Sequence, residues 1–421
     1  MRLTIPYGDA EKSFDVREGN LQRVVAHDVP RSGRTEQEQQ LVREALRRPV
    51  GAKPIAATVK PADKVVLLTD DWTRPTPAYK VLPVLLLELE AAGVRDENIS
   101  VVVARGTHRR LSDEELRRKL GGEVLDRFDV RNHENSRDLV RLGASRRGTP
   151  VWINRQVAEA DHRIAVGGIV AHPLAGYGGG AKIILPGVSG VETINHNHSM
   201  VDDAKVRVGV VDGNSVREDM EEIARMARLD VIVNVVLNER KEILYAVAGD
   251  VVQAHREGVR LYDGLYGVKA AEDADIVVLG SCPRDATFGH ATFSLYAAVP
   301  MVKPRGTIIL VAPCEDGPGT REGRLGFQQL ASLRPEELMA LIKAGEVDAS
   351  GGAFDYCYAK VVNRNRVVLV SDNYSQREAE ELGVGYAASV QEALDDAVRS
   401  HGPGAKVTVL PTGGLTVPLS T

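Results

Sequence analysis

Cysteine is scarce in this chain. Cys282, Cys314 and Cys357 are too few and too scattered to frame a disulfide scaffold. No two of them form a C-x-x-C pair, which argues against a thiolate metal site. Long hydrophobic runs are missing as well, since no apolar stretch approaches the roughly 20 residues that a membrane span needs. Met1 to Gly8 lacks the basic and then apolar run of a signal peptide, so a reducing cytoplasm is the expected location, with no membrane partner. An excess of positive charge is absent too: the formal net charge is −5, which speaks against a nucleic-acid partner. The basic residues near Glu114 to Arg118 are interleaved with acids and read as a solvated helix face. There is no internal repeat and no low-complexity segment. At 421 residues the chain exceeds one typical core.

What is present is an alternation of short apolar runs with amphipathic segments. Leu3-Thr4-Ile5 and Ser13-Phe14-Asp15-Val16 read as paired strands around a turn at Gly8-Asp9. Helices are expected over Gln37 to Arg48, Ala78 to Ala92 and Asp113 to Lys119. Strands are expected at Lys64 to Thr69, Ile99 to Ala104, Asp138 to Leu142, Arg163 to Val166, Val231 to Leu237 and Ile243 to Gly249. Val251 to Gly267 reads as a long helix bridging to a second unit, whose strands start at Ala274, Thr307, Arg366 and Lys406. The pattern predicts two α/β domains with mostly parallel sheets, 1–270 and 271–421, and an active site in the cleft between them.

Polar clusters follow three of the expected strands directly. They are Asp70-Asp71-Trp72-Thr73-Arg74-Pro75, Gly106-Thr107-His108-Arg109 and Gly167-Gly168-Ile169-Val170-Ala171-His172-Pro173. Ligands of open α/β sheets bind beyond the carboxyl ends of strands, so these clusters point at one pocket. The segment Gly176-Tyr177-Gly178-Gly179-Gly180-Ala181-Lys182 lets backbone approach an anion closely, with a lysine beside it. It is neither a P-loop, because Ile183 replaces the hydroxyl residue, nor a dinucleotide fingerprint. Asn195-His196-Asn197-His198 carries an H-x-H pair, whose imidazoles share a face on a strand and diverge on a helix. Imidazole suits zinc, copper, iron and nickel, yet two histidines are thin for a site built from protein alone. Asn132-His133-Glu134-Asn135 reads as a structural hydrogen-bonding turn.

In the joint order and spacing of these blocks, the chain resembles the nickel-pincer-nucleotide lactate racemase family over nearly its whole length. The resemblance implies a racemase or epimerase of a small 2-hydroxy acid that uses a nicotinic-acid-derived nucleotide holding nickel, made by separate cofactor-synthesising proteins. Carried over residue by residue, Lys182 would bond the cofactor thioamide. His198, sixteen residues on, would ligate nickel, with His196 the weaker candidate. His108 and His172 would form the acid/base pair. Arg74, held by Asp71, would meet a cofactor phosphate or a substrate oxygen. Thr73 and Gly178, Gly179 and Gly180 would help hold the nucleotide. Reversible hydride transfer through a flat 2-keto acid avoids a poorly stabilised carbanion, and imidazole serves both directions of proton transfer.

One block departs from the family. Where its members carry a Tyr-Gln-x-x-Lys-type segment, this chain has Gly289-His290 and then Phe293. His290 would still hydrogen-bond a carboxylate. Phe293 removes the cation and implies an apolar, longer or branched substrate side chain. An aromatic wall is expected near Phe354-Asp355-Tyr356. Two other readings compete: a dehydrogenase-like protein using a common nucleotide, which lacks its fingerprint, and a non-catalytic or differently acting nucleotide- or anion-binding protein on the same fold.

Overall fold

The computed structural model describes residues 1–31, 33–271, 273–319 and 326–419. Val65-Val66-Leu67-Leu68 are fully buried, as a strand covered on both faces requires. They open strand Val65–Asp70, in the middle of a six-stranded sheet. The spatial order is Ile243–Gly249, Val231–Leu237, His162–Gly168, Val65–Asp70, Ile99–Ala104, Asp129–Asn132. All neighbours run parallel except the Ile243–Gly249 edge. From Val65–Asp70 the chain builds outward on one side, then returns to lay His162–Gly168 on the other. Such a reversal opens a crevice at the carboxyl ends of the two strands.

The second unit repeats this logic. Its six strands are all parallel, in the order Gly385–Ala387, Arg366–Val370, Val302–Val311, Ala274–Gly280, Val407–Leu410, Leu21–Val24. Ala274–Gly280 is again the strand from which the chain departs in one direction and to whose other side it returns. The fold is therefore α/β with two mostly parallel sheets.

Helix Gln253–Tyr266 links the units. The Tyr262 hydroxyl donates to the Leu415 carbonyl (2.7 Å) and that of Tyr266 to the Leu237 carbonyl (2.9 Å), so the linker is bound to both. No helix among the described residues is long and apolar enough to cross a membrane.

Two placements differ from those expected. Leu139–Ala144 is a strand, but it pairs antiparallel with Pro150–Asn154 in a separate hairpin. Its half-exposed residues suit a surface ribbon better than a buried sheet. The opening strands, expected in the first unit, belong to the second. Leu21–Val24 hydrogen-bonds alongside Val407–Leu410, and the hairpin Arg2–Tyr7/Ala10–Asp15 buries Ile5, Tyr7 and Phe14 among Ile276, Val278, Ile309 and Val409. Alternation predicts a strand and says nothing of which sheet receives it.

Phe14 is 2% exposed, so Phe14→Ala should lower stability by about 3–5 kcal/mol. Hydrogen exchange should locate the loss in 274–280 and 407–410. A loss confined to 65–70 and 99–104 would contradict this placement.

Candidate active site

The carboxyl ends of Val65–Asp70, Ile99–Ala104 and His162–Gly168 do converge. Asp71, Arg74, Gly106, His108, Gly167, Gly168, Gly179, Gly180, Lys182 and Asn234 line one cleft. Asp71 is buried, and its Oδ2 accepts a hydrogen bond from His108 Nδ1 at 2.6 Å. Its Oδ1 accepts from the Thr73 hydroxyl (2.5 Å) and backbone N–H (3.1 Å). Burial pushes this carboxyl up, but the His108 imidazole, with Arg74 and Thr73, overrides it and holds Asp71 well below the usual carboxylate range. The expected grip of Asp71 on Arg74 is corrected here. The carboxylate holds His108 and Thr73, while Arg74 Nη1 donates to the Thr73 hydroxyl (3.1 Å) and carbonyl (3.3 Å). With Nδ1–H committed to Asp71, His108 leaves Nε2 as an acceptor.

Two N–H groups of the glycine segment are already spent within the protein. Gly178 N–H donates to the Val170 carbonyl (2.6 Å) and Gly180 N–H to Asn234 Oδ1 (2.8 Å). Gly179 has φ +71°, and a Cβ there would lie 2.6 Å from Asn234 Oδ1. At Gly180, φ +58°, a Cβ would meet the His255 ring at 2.7 Å. Only glycine fits either position. Gly179 and Gly180 face the cleft; Gly178 lies behind them.

Three residues that pattern reading leaves out hold this turn. Arg217, fully buried, donates to the carbonyls of Ala175, Tyr177 and Gly179. His255 Nε2 bonds the Gly178 carbonyl (2.9 Å), and Asn234 receives Gly180. Nothing in the sequence near Arg217 marks it: it is one arginine on an amphipathic helix, Ser215–Met226.

His172 lies on the same turn and is 2% exposed. Its Nδ1 accepts the N–H groups of Leu174 and Ala175, both at 3.2 Å, so the ring proton sits on Nε2. That Nε2 is buried with no hydrogen-bond partner among the described residues. Burial, then Lys182 and Arg74, push His172 well below the ordinary histidine value. Lys182 is pushed down likewise, first by burial and then by Arg74 and Arg217, toward a neutral and nucleophilic amine.

The H-x-H pair sits on helix Val191–His198, so the rings diverge. His196 Nδ1 meets the Thr149 hydroxyl at 2.9 Å, beside the buried Asp219. His198 is buried and packs on Phe354 (ring centroids 6.1 Å), the same ring that meets His172 at 5.8 Å. His198 therefore faces the His172 side and His196 faces away. His133 is structural: buried, it bonds the Ser189 carbonyl (2.9 Å) and Asn154 (3.3 Å).

The second unit reaches this ground with four side chains. His290, at the start of helix Phe288–Ala298 whose Thr287 cap receives its N–H (3.2 Å), lies edge-on to Trp72 (5.9 Å). Phe293, one turn along, lies edge-on to His172 (6.1 Å) and against Phe354 (5.8 Å). Arg284, after strand Ala274–Gly280, donates Nη2–H to the Ala171 carbonyl (2.9 Å). The second unit therefore brings a cation near the site from a position other than Phe293.

Residues 7–209 match the profile of the lactate racemase N-terminal domain and residues 268–417 that of the lactate racemase C-terminal domain. The chain is 33% identical over 385 residues to a lactate racemase of Lactiplantibacillus plantarum, covering 89% of this chain and 90% of that protein. It is 28% identical over 419 residues to a lactate racemase of Thermoanaerobacterium thermosaccharolyticum, covering 98% and 97%. The solved lactate racemase apoprotein from the latter organism superposes with a TM-score of 0.89 at 26% identity, covering all of both chains. A Thermotoga maritima protein shares the fold, with a TM-score of 0.65 at 18% identity, covering 92% of this chain and 98% of that one.

Burial, followed by the cations Arg74 and Arg284, pushes His290 down to about 4. NMR titration of its ring should show a midpoint near that value, leaving it neutral at pH 7. Its contribution to stability is full above the unfolded value of about 6.5 and is lost as pH falls toward 4. A midpoint at or above 6 would mean that water reaches the ring freely.

Proposed function

The chain belongs to the lactate racemase family, and we propose that it is the isomerase that interconverts the enantiomers of a small 2-hydroxy acid with a nickel-pincer nucleotide. The observation that carries this reading is the pair His108 and His172. Each has Nδ1 fixed by the protein and Nε2 left for a ligand, and they come from the ends of two different strands. A 2-hydroxy acid offers one hydroxyl, whose direction reverses with configuration, so racemisation calls for two separate imidazoles, one for each enantiomer.

The donor set fits the cofactor. His198 offers one buried imidazole, and a metal there would take its other ligands from the bound group. Lys182 offers an amine pushed toward its nucleophilic form, and any Cβ at Gly179 or Gly180 would intrude on the turn that forms the cleft floor. Arg74 supplies a cation for a phosphate or a substrate oxygen. When bound, the group supplies the centre that takes the C2 hydrogen with its electron pair and returns it. Other proteins must make that group, and the three free thiols of this chain suit the reducing cytoplasm in which we place it.

The remaining work falls to the chain. His108 Nε2 accepts the hydroxyl proton, and Asp71, ionised and buried, stabilises the imidazolium that forms. The 2-keto acid turns about its C1–C2 bond, which carries the oxygen from one imidazole to the other. His172 then delivers a proton to it. A full inversion moves one proton from His172 to His108, so His172 must enter charged. Burial and the neighbouring cations oppose that charge in the empty cleft. A bound carboxylate offsets the cations. The two 3.2 Å contacts to Nδ1 are long and must yield when the ring takes its second proton.

Protein made alongside the cofactor-synthesising enzymes should carry nickel and nucleotide in step with chain and racemise 2-hydroxy acids. His108→Asn and His172→Asn should each lower kcat by about 10²- to 10⁴-fold. In D2O the product should keep its C2 hydrogen, whereas a carbanion route would wash deuterium in. Full racemisation by His172→Asn would remove the acid/base pair. No nickel and no nucleotide, from a host that loads a known racemase, would leave only an anion-binding protein on this fold.

Phe293 and Phe354 form an apolar wall beside His172. A panel of substrates should therefore favour longer or branched aliphatic 2-hydroxy acids over lactate. Equal kcat/KM across the panel would assign the wall no part in selection.

A further inference from the structure

Arg284 stands where a sheet switch point meets the first unit. It follows Ala274–Gly280 at its carboxyl end, and its Nη2–H reaches the Ala171 carbonyl, one residue before His172. The guanidinium lies 5.3 Å from the centroid of Phe293, whose ring packs on His172. That single hydrogen bond uses one of five N–H donors.

Its electrostatic surroundings are unfavourable for a cation. Among the described residues no carboxylate forms an ion pair with Arg284. The adjacent Asp285 is turned away, with Oδ2 accepting the Gly8 N–H (3.3 Å). Burial, relieved in part by Tyr262 and worsened by Arg74, pushes Arg284 down to about 10. Arg74 and Arg284 both act on His172 and on His290, so two like charges stand near the same two rings. Holding unpaired cations together at a partly buried site costs free energy unless an anion joins them. The ring of His290 makes no hydrogen bond with described residues and stays neutral, which leaves an N–H to donate.

We infer that Arg284 is the residue that receives the substrate carboxylate, with His290 as the second donor. The cation absent at Phe293 is thereby supplied from another position. A planar guanidinium fork matches a carboxylate in two parallel hydrogen bonds. The placement also explains how the acid can turn: with C1 anchored at Arg284, rotation about C1–C2 exchanges the places of the oxygen and the side chain and so moves the oxygen between the imidazoles. The assignment rests on the proposed 2-hydroxy acid reading, and it differs from it in what it predicts.

The test uses Arg284→Gln and Arg284→Lys with three measurements. They are the Kd of lactate and of 2-hydroxy-3-methylbutanoate for the cofactor-free chain by ligand-observed NMR, KM and kcat of the loaded enzyme, and its nucleotide content. Arg284→Gln should raise Kd and KM by roughly 10- to 100-fold, with a smaller change in kcat and unchanged nucleotide content. Arg284→Lys should fall between it and the parent. Lactamide, which lacks the charge, should bind the parent and Arg284→Gln equally. Unchanged Kd and KM in Arg284→Gln, or no binding of either acid to either form of the parent, would overturn the inference. So would a loss of nucleotide with KM unchanged, which would assign the guanidinium to a cofactor phosphate. Carboxylate binding that depends on Arg284 without racemisation would leave the anchor standing and remove the proposed reaction.

Discussion

The site depends on one buried cation. Arg217 binds the carbonyls of Ala175, Tyr177 and Gly179, three groups of a turn that has few regular hydrogen bonds of its own. Buried carbonyls without partners are costly, and a planar fork can satisfy several at once. By fixing that turn, Arg217 sets the positions of His172 on one side and Lys182 on the other. Its charge also reaches Lys182 and His255, lowering both. The turn's shape and the reactivity of its lysine thus have a common physical source. His255 and Asn234 complete the frame, and they explain why Gly179 and Gly180 tolerate no side chain.

Electrostatics gives the cleft its character. Arg74, Lys182, Arg217 and Arg284 gather around it, and among the described residues Asp71 is the carboxylate that acts on Lys182. Asp71 is itself held by His108 and Thr73. A site with this balance favours anionic ligands and holds its buried histidines and lysine neutral while empty. The two imidazoles are unequal at rest. His108 presents an acceptor nitrogen backed by a carboxylate, and His172 presents a donor nitrogen backed by two backbone N–H groups.

Two units meet over this charge. The glycine turn belongs to the first, while Arg284, His290, Phe293 and Phe354 come from the second. The second unit's helix Ala349–Arg364 also docks on the helix bearing His198, through Asn195 Oδ1 and the Ser350 N–H (2.8 Å). Each sheet has its own switch point, and the two crevices contribute to one polar centre.

Local pattern determined much of this protein. A run such as Val65 to Leu68 forms a buried strand wherever it occurs, because only a covered sheet accepts four apolar residues in succession. Polar clusters after such strands therefore lie at one edge, and Asp71, Arg74 and His108 were legible as neighbours on that ground. The order of the blocks carried the family as well. Tertiary structure alone decided the rest. The H-x-H pair could be read on either a strand or a helix, and the helix sends His196 to Thr149 and leaves His198 beside Phe354. Asp71 is near Arg74 in sequence, yet its carboxylate bonds His108, thirty-seven residues away. Leu21–Val24, Leu-Gln-Arg-Val, lacks the alternation of a strand, and only the second sheet's open edge beside Val407–Leu410 makes it one. Arg217, Asn234, His255 and Arg284 lie in ordinary contexts, with no motif around them. Periodicity reports a residue's relation to its own element, whereas a partner's identity is a fact about two distant segments, and that relation exists only once the chain has folded.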